Sequence, residues 1–194
     1  MNAVTHSPAD EASSLRAALE STGRIPLDHM VASPGEACER ASYAILADAN
    51  SLMGCLRVGA ARAAYEHALD HAHDRLQGGV PIILHQNVRY RLFHMFRRIE
   101  AARALALRVI TCNQTAALPA LQGSIAAKIT STQTAFDVAS DDVQIPGGNG
   151  LRRACPVEKL MHDARSSMIE DGCNEALAIK PGSLLIDPAR LRKG

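Results

Sequence analysis

Residues 86–112 read QNVRYRLFHMFRRIEAARALALRVITC, and this run decides the fold. Val88, Leu92, Met95, Ile99, Ala102, Ala106 and Val109 recur at steps of three and four, so a helix places them in one apolar stripe. A stripe of this kind must be covered by another element, which commits the chain to helices packed on helices. Arg89, Arg97, Arg98 and Arg108 fall roughly on the opposite face, while Arg91 and Arg103 flank the stripe and can snorkel. Six arginines could form an anion-binding face, but the same pattern describes the solvated side of an amphipathic helix.

Immediately upstream, Gly78-Gly79-Val80-Pro81 is a turn, because the glycines permit positive φ and Pro81 removes a backbone donor. A new helix is expected to start near Leu84. Before the turn, Gly35 to about Leu76 contains no proline and is rich in Ala, Leu, Arg and Glu, which predicts one long helix or two in series. Gly54 and Gly59 mark close packing or breaks in it. Downstream, Thr111 to Leu118 is expected to be a loop. After Pro119, Leu121, Ile125, Lys128, Ile129, Thr132, Phe136 and Ala139 follow helical spacing to about Val143. Gln144 to Gly150 must be loop, Pro156 and Glu158 start a helix that runs to about Ile169, and a short helix after Gly172 ends at Pro181-Gly182. Four main helices with short connections predict an all-α chain, an antiparallel four-helix bundle over residues 35–186. Residues 1–34 read as a leader, with a short helix around Ser14 to Glu20 and an extended stretch from Ile25 to Val31, and 187–194 as a tail.

At 194 residues and 47% apolar composition the chain can close a core of its own. Lys and Arg number 21 against 20 Asp and Glu, and aromatics are 3%, so neither a basic field nor a stacking surface recommends nucleic acid as a partner. Val109 to Ala127 lacks formal charge but carries Asn113, Gln114 and Gln122, which a membrane span would have to bury at high cost. The first 14 residues hold no Lys, Arg or long apolar run, so a cytoplasmic protein is expected. The five cysteines are scattered and none forms a CxxC pair, which indicates neither a disulfide framework nor a sequence-local zinc site.

Chemistry has few places to sit. Gln144-Ile145-Pro146-Gly147-Gly148-Asn149-Gly150 is either a tight helix–helix connection or a loop that lets a ligand approach backbone N–H groups, for which phosphate or pyrophosphate is the natural ligand type. It is not GxGxxG in a strand–turn–helix setting, so a Rossmann site is excluded. Arg75, just before the glycine turn, can project toward a phosphate or satisfy the helix end. Glu170 and Asp171, beside Met168 and Ile169, are adjacent carboxylates of which one can serve as a general base, unless both are ordinary exposed charges. His67 and His71 are one helical turn apart and can share a ligand, but His73 projects elsewhere and HExxH is absent, so no metal site is expected. Cys173, near a helix start, reads as a small packing residue.

Four motifs in order carry a resemblance to a known family. Arg75-Leu76-Gln77-Gly78-Gly79-Val80-Pro81-Ile82 and the His85-Gln86 helix that follows, with Leu92, Met95 and Ile99-Glu100-Ala101-Ala102-Arg103, are the first two. Gln144 to Gly150, and Pro156-Val157-Glu158-Lys159-Leu160-Met161-His162-Asp163-Ala164-Arg165 leading to Ile169-Glu170-Asp171-Gly172-Cys173-Asn174-Glu175, complete the set. From about Ile25 to Ile186 the chain resembles the C-terminal helical domain of the flavin-dependent acyl-CoA dehydrogenases. The resemblance implies a bundle that helps bind FAD, with Arg75 and Gln86 brought by dimerisation to the adenosine-diphosphate part, and Gln144, Gly147 and Gly148 approaching the same dinucleotide. It also implies a carboxylate that takes the α-proton of an acyl-CoA or other acyl thioester while the flavin accepts hydride from the β-carbon. Register puts Asp171 at that carboxylate and Glu170 one residue before it.

The chain departs from the family in length, since members are about twice as long and only Ile25 to Val31 matches a strand of their β-domain. Gly78 stands in place of a Phe, Cys173 of a Thr, and Asn50 where an Arg is frequent on the first long helix. Three readings follow from the resemblance. The chain is a dehydrogenase subunit completed by a homo- or hetero-oligomeric, dehydrogenase-like partner; or a catalytically inactive helical-bundle interaction or regulatory module derived from that family; or a fragment of a longer gene. The retained Arg75, Gln86, Gly147-Gly148 and acidic pair favour the first.

Overall fold

The computed structural model describes residues 35–183, together with Ser33 and the pairs Val4–Thr5 and Ala18–Leu19. Val4–Thr5 (β1) and Ala18–Leu19 (β2) pair antiparallel, so Ala18 and Leu19 are not in the short helix expected around 14–20. A helix of two turns is marginal in water without a face to bury. The expected extended stretch Ile25 to Val31 and the tail 187–194 lie outside the described residues.

The first long helix, α1, is continuous over Glu36–Asp74, about 58 Å at 1.5 Å per residue. It survives two glycines for different reasons. A Cβ on Gly54 would stand 3.4 Å from the carbonyl carbon and oxygen of Ala127, so this glycine lets two helix backbones approach; around Gly59 there is open space. Farther along, Ala61, Ala64, Ala68 and Ala72 repeat at helical spacing and are fully buried, forming a seam of small side chains. The helix is capped by Arg75, where the chain enters a hairpin of Leu76–Gln77 (β3) and Val80–Pro81 (β4). Gly78 and Gly79 turn it at φ 64° and 83°, as their lack of Cβ allows.

A single turn of 3-10 helix, Ile82–Leu84, leads into α2, Gln86–Thr115. Leu92, Met95, Ile99, Ala102, Ala106 and Val109 of the stripe are buried, with Val88 partly so. Burying each of the larger members is worth roughly 2 kcal/mol. The helix continues five residues into the expected loop because Asn113 turns inward. Its amide donates to Ser51 Oγ at 3.0 Å and to Ser124 Oγ at 2.9 Å, and its carbonyl accepts from the Ala120 N–H at 3.0 Å. One side chain thus ends α2 and starts α3, Leu121–Gln144.

These contacts fix the topology. Asn113 near the end of α2 meets Ser51 in the first half of α1 and Ser124 at the start of α3, whereas Arg91 and Arg98 near the start of α2 both reach Asp141 at the end of α3. Arg98 therefore spans to a neighbouring helix and does not lie on a wholly solvated face. α2 runs antiparallel to α1 and α3. A 3-10 segment, Gly147–Leu151, leads to α4, Pro156–Ser167, which packs on α3, and α5, Asn174–Ser183, closes the described chain. α4 stops two residues short of the expected Ile169, since Met168 to Asp171 turn toward α1 and α3.

Candidate functional site

The segment between α4 and α5 carries the two carboxylates, and the interior of the bundle holds it in place. Glu170 Oε2 accepts from Arg57 Nη2 at 3.1 Å, both side chains being less than one-fifth exposed. Lys128 is fully buried, and its ammonium donates to the Gly172 carbonyl at 2.8 Å and to Asn174 Oδ1 at 2.9 Å. Asn174 in turn donates to Thr132 Oγ1 at 3.0 Å. Burial pulls the Lys128 pKa below its ordinary value, opposed by the nearby Asp171 and then Glu170 carboxylates.

Asp171 itself is exposed and adopts φ 53°, the left-handed conformation that short polar residues tolerate. Gly172 continues the bend at φ 94°, and a Cβ there would come within 3.0 Å of Leu177. The adjacent acids therefore differ in kind. Glu170 is tied to α1 by Arg57, and Asp171 is presented outward on a backbone fixed from behind by Lys128. Cys173 donates its thiol to Glu175 at 3.1 Å, which lowers the Glu175 pKa together with a backbone hydrogen bond. Arg57 and Lys128 were not singled out for this site from the sequence, because they lie 113 and 44 residues from their partners.

A second region forms where the hairpin, the start of α2 and the end of α3 converge. A groove of about 570 Å³ is lined by Gln77, Gly78, His85, Asn87, Arg91 and Gln144, among others. Of the residues predicted to bind a cofactor, Gln144 lines the groove. Arg75 caps α1 and Gln86 opens α2, both exposed near it, and neither lines it. Gly147, at φ 61°, and Gly148 have open space where a Cβ would stand, so their backbone is accessible. Gly150 is buried, and a Cβ on it would meet Val143 O at 2.6 Å, which folds the segment back onto the end of α3. Arg91 is already engaged by Asp141. Neither Gly147 nor Gly148 lines the groove; the Gln77, Asn87 and Gln144 amides, the His85 imidazole and the Gly78 backbone around it can donate to an anionic ligand.

Among the described residues no group of three or more His, Cys, Asp or Glu side chains is arranged to hold a metal ion. His67 and His71 share a wall of a further cavity, while His73 is exposed. Asn50 is fully buried, its amide donating to the Leu46 carbonyl at 2.8 Å. No helix among the described residues is long and apolar enough to cross a membrane.

Comparison with known proteins agrees with this architecture. The family profile described as acyl-CoA dehydrogenase, C-terminal domain, matches residues 40–179. An acyl-CoA dehydrogenase of Bacillus subtilis is 38% identical over 118 residues, covering 61% of this chain and 31% of the relative. A probable acyl-CoA dehydrogenase of Mycobacterium tuberculosis is 33% identical over 159 residues, 78% of this chain and 39% of the relative. The solved butyryl-CoA dehydrogenase of Megasphaera elsdenii superposes with a TM-score of 0.76 at 28% identity, over 84% of this chain and 42% of that one. The chain thus spans roughly two-fifths or less of the length of these relatives. With the profile spanning the bundle from α1 to α5, the chain belongs to the acyl-CoA dehydrogenase family, by its C-terminal helical domain.

Proposed function

We propose that this chain is the helical-bundle part of an FAD-dependent acyl-CoA dehydrogenase-type oxidoreductase, which removes hydrogens from the α- and β-carbons of an acyl thioester. The observation that carries the reading is the outward Asp171 carboxylate on a loop anchored by the buried Lys128 ammonium. Lys128 donates to the Gly172 carbonyl and to Asn174 Oδ1, and so fixes the backbone that carries the acid. Gln144 and the open Gly147-Gly148 backbone would hold the dinucleotide, with Arg75 and Gln86 offered to a flavin bound across an oligomer interface with a dehydrogenase-like partner. The bound flavin supplies the hydride acceptor for the β-carbon. Asp171 takes the α-proton, and an oxygen within hydrogen-bond reach of it is the geometric requirement. Arg57 keeps Glu170 out of competition by holding its carboxylate turned toward α1.

The test begins with the visible absorption of the purified chain after incubation with FAD and desalting, alone and co-expressed with a dehydrogenase-like partner. Retained flavin is expected with the partner. In that preparation Asp171→Asn should lower turnover by roughly 100-fold or more, and Glu170→Gln much less. Absence of flavin in both preparations would favour the catalytically inactive interaction module. Loss of turnover only in Glu170→Gln would reassign the base.

A further inference from the structure

The second carboxylate at the end of α3 has an unusual setting. Asp141 is satisfied by Arg91 and Arg98, as expected of a structural acid between helices. Its neighbour Asp142 is fully buried and, among the described residues, its side chain meets His67 and has no partner for Oδ2. His67 lies on α1 and uses both ring nitrogens: Nδ1 is 3.0 Å from Asp142 Oδ1, and Nε2 is 4.0 Å from Cys155 Sγ. Cys155 is the N-cap of α4, which sets its thiol beside the His67 ring. Three helices therefore bring carboxylate, imidazole and thiol into the order of orienter, base and nucleophile.

The thiol opens onto a cavity of about 370 Å³, whose wall also includes His67, His71, Asn149 and Arg152. That volume suits a small molecule, and the Arg152 guanidinium with the Asn149 amide favours an anionic one. The other charged groups near Cys155 are Arg153 before it and Glu158 in the first turn of α4, the latter within 3.5 Å of His162. None of Cys155, His67 and Asp142 belongs to the carboxylate loop or to the groove of the proposed dehydrogenase site.

We propose that Cys155, His67 and Asp142 form a thiol–disulfide exchange site that accepts small anionic disulfides. His67 Nε2 takes the Sγ proton as the sulfur attacks one sulfur of the incoming disulfide. The bond from Cys155 Sγ to that sulfur forms, the original S–S bond breaks, and the departing thiolate recovers the proton from His67. Cys155 is oxidised to a mixed disulfide, and one equivalent of small thiol is released. Asp142 is a positioning residue that orients the imidazole; Asn149 and Arg152 select the anion. Burial pushes the Asp142 carboxyl up to about 6, against hydrogen bonding and charge from His67, so the protein carries this acid at a cost in stability.

The four other thiols, Cys38, Cys55, Cys112 and Cys173, provide the reference within the same molecule. The full chain is reacted with dianionic 5,5′-dithiobis(2-nitrobenzoate) or neutral 4,4′-dithiodipyridine, and each modified cysteine is identified by peptide mass spectrometry. Cys155 is expected to react with the anionic reagent at least about tenfold faster than the exposed Cys112. His67→Ala should remove that advantage and leave the Cys112 rate unchanged. Asp142→Asn should slow Cys155 several-fold while the protein remains folded by circular dichroism. Arg152→Ala should slow only the anionic reagent. If Cys155 reacts no faster than Cys112, or if folded His67→Ala and Asp142→Asn variants both retain the wild-type Cys155 rate, the proposal is overturned.

Discussion

The loop after α4 and the hairpin after α1 are both short connections bent by glycine, yet they are held in opposite ways. The loop is fixed by side chains from the interior: Lys128, Thr132 and Asn174 behind it, Arg57 on Glu170, and Leu177 against Gly172. The hairpin is held chiefly through backbone groups, with Ile82 N–H donating to Arg75 O at 2.8 Å and His85 Nε2 standing 3.2 Å from Gln77 O. Open space surrounds its two glycines. The loop that carries the carboxylates is held from within, whereas the hairpin stays uncovered.

The contrast breaks most easily at Lys128. Lys128→Met leaves the Gly172 carbonyl and Asn174 amide oxygen without their buried donor, and is expected to lower stability by about 3 kcal/mol. A denaturant melt checks it, and a near-wild-type midpoint would mean that the loop does not depend on the interior. An effect of similar order and opposite sign is expected at the end of α3, between the two regions. The folded Asp142 pKa of about 6 is raised above its ordinary 3.8, so native protein binds this proton more tightly than unfolded chain. Stability from this group is present below about pH 4, falls as pH rises through 6, and is lost above it, on the order of 3 kcal/mol. Asp142→Asn should therefore melt higher than wild type at pH 8, with the difference vanishing near pH 4.

Smaller effects sharpen the comparison between the glycines. Gly172→Ala meets both positive φ and Leu177 at 3.0 Å, and should cost about 2 kcal/mol. Gly79→Ala meets positive φ and nothing else, and should cost about 1 kcal/mol. Thermal melts of the pair, measured side by side, would erase the contrast if the order were reversed.

The sequence made the helices legible because their apolar spacing is local: six of the seven stripe residues from Val88 to Val109 are buried, and Val88 is partly so. The glycine turn was legible for the same reason. The end of α2 was not, because Asn113, Gln114 and Thr115 look like loop residues until the inward bonds of Asn113 are seen. Within the sites, Glu170, Asp171 and Gln144 could be named from residue type and motif, but their supports could not. Lys128 stood in an apolar stripe without a stated partner, and Arg57 and Asp142 gave no local signal. The pair His67 and His71 was visible on one helix face, whereas Cys155, 88 residues from His67, joins it only through the packing of α1, α3 and α4.

The alanine seam of α1 has a thermal consequence. Ala61, Ala64, Ala68 and Ala72 bring helices close while hiding little hydrocarbon each, so unfolding exposes less apolar surface than a leucine seam of equal length would. Heat capacity of unfolding scales with that surface. The bundle's stability should accordingly change gently with temperature, with a broad, shallow optimum and a cold limit displaced farther from its heat limit.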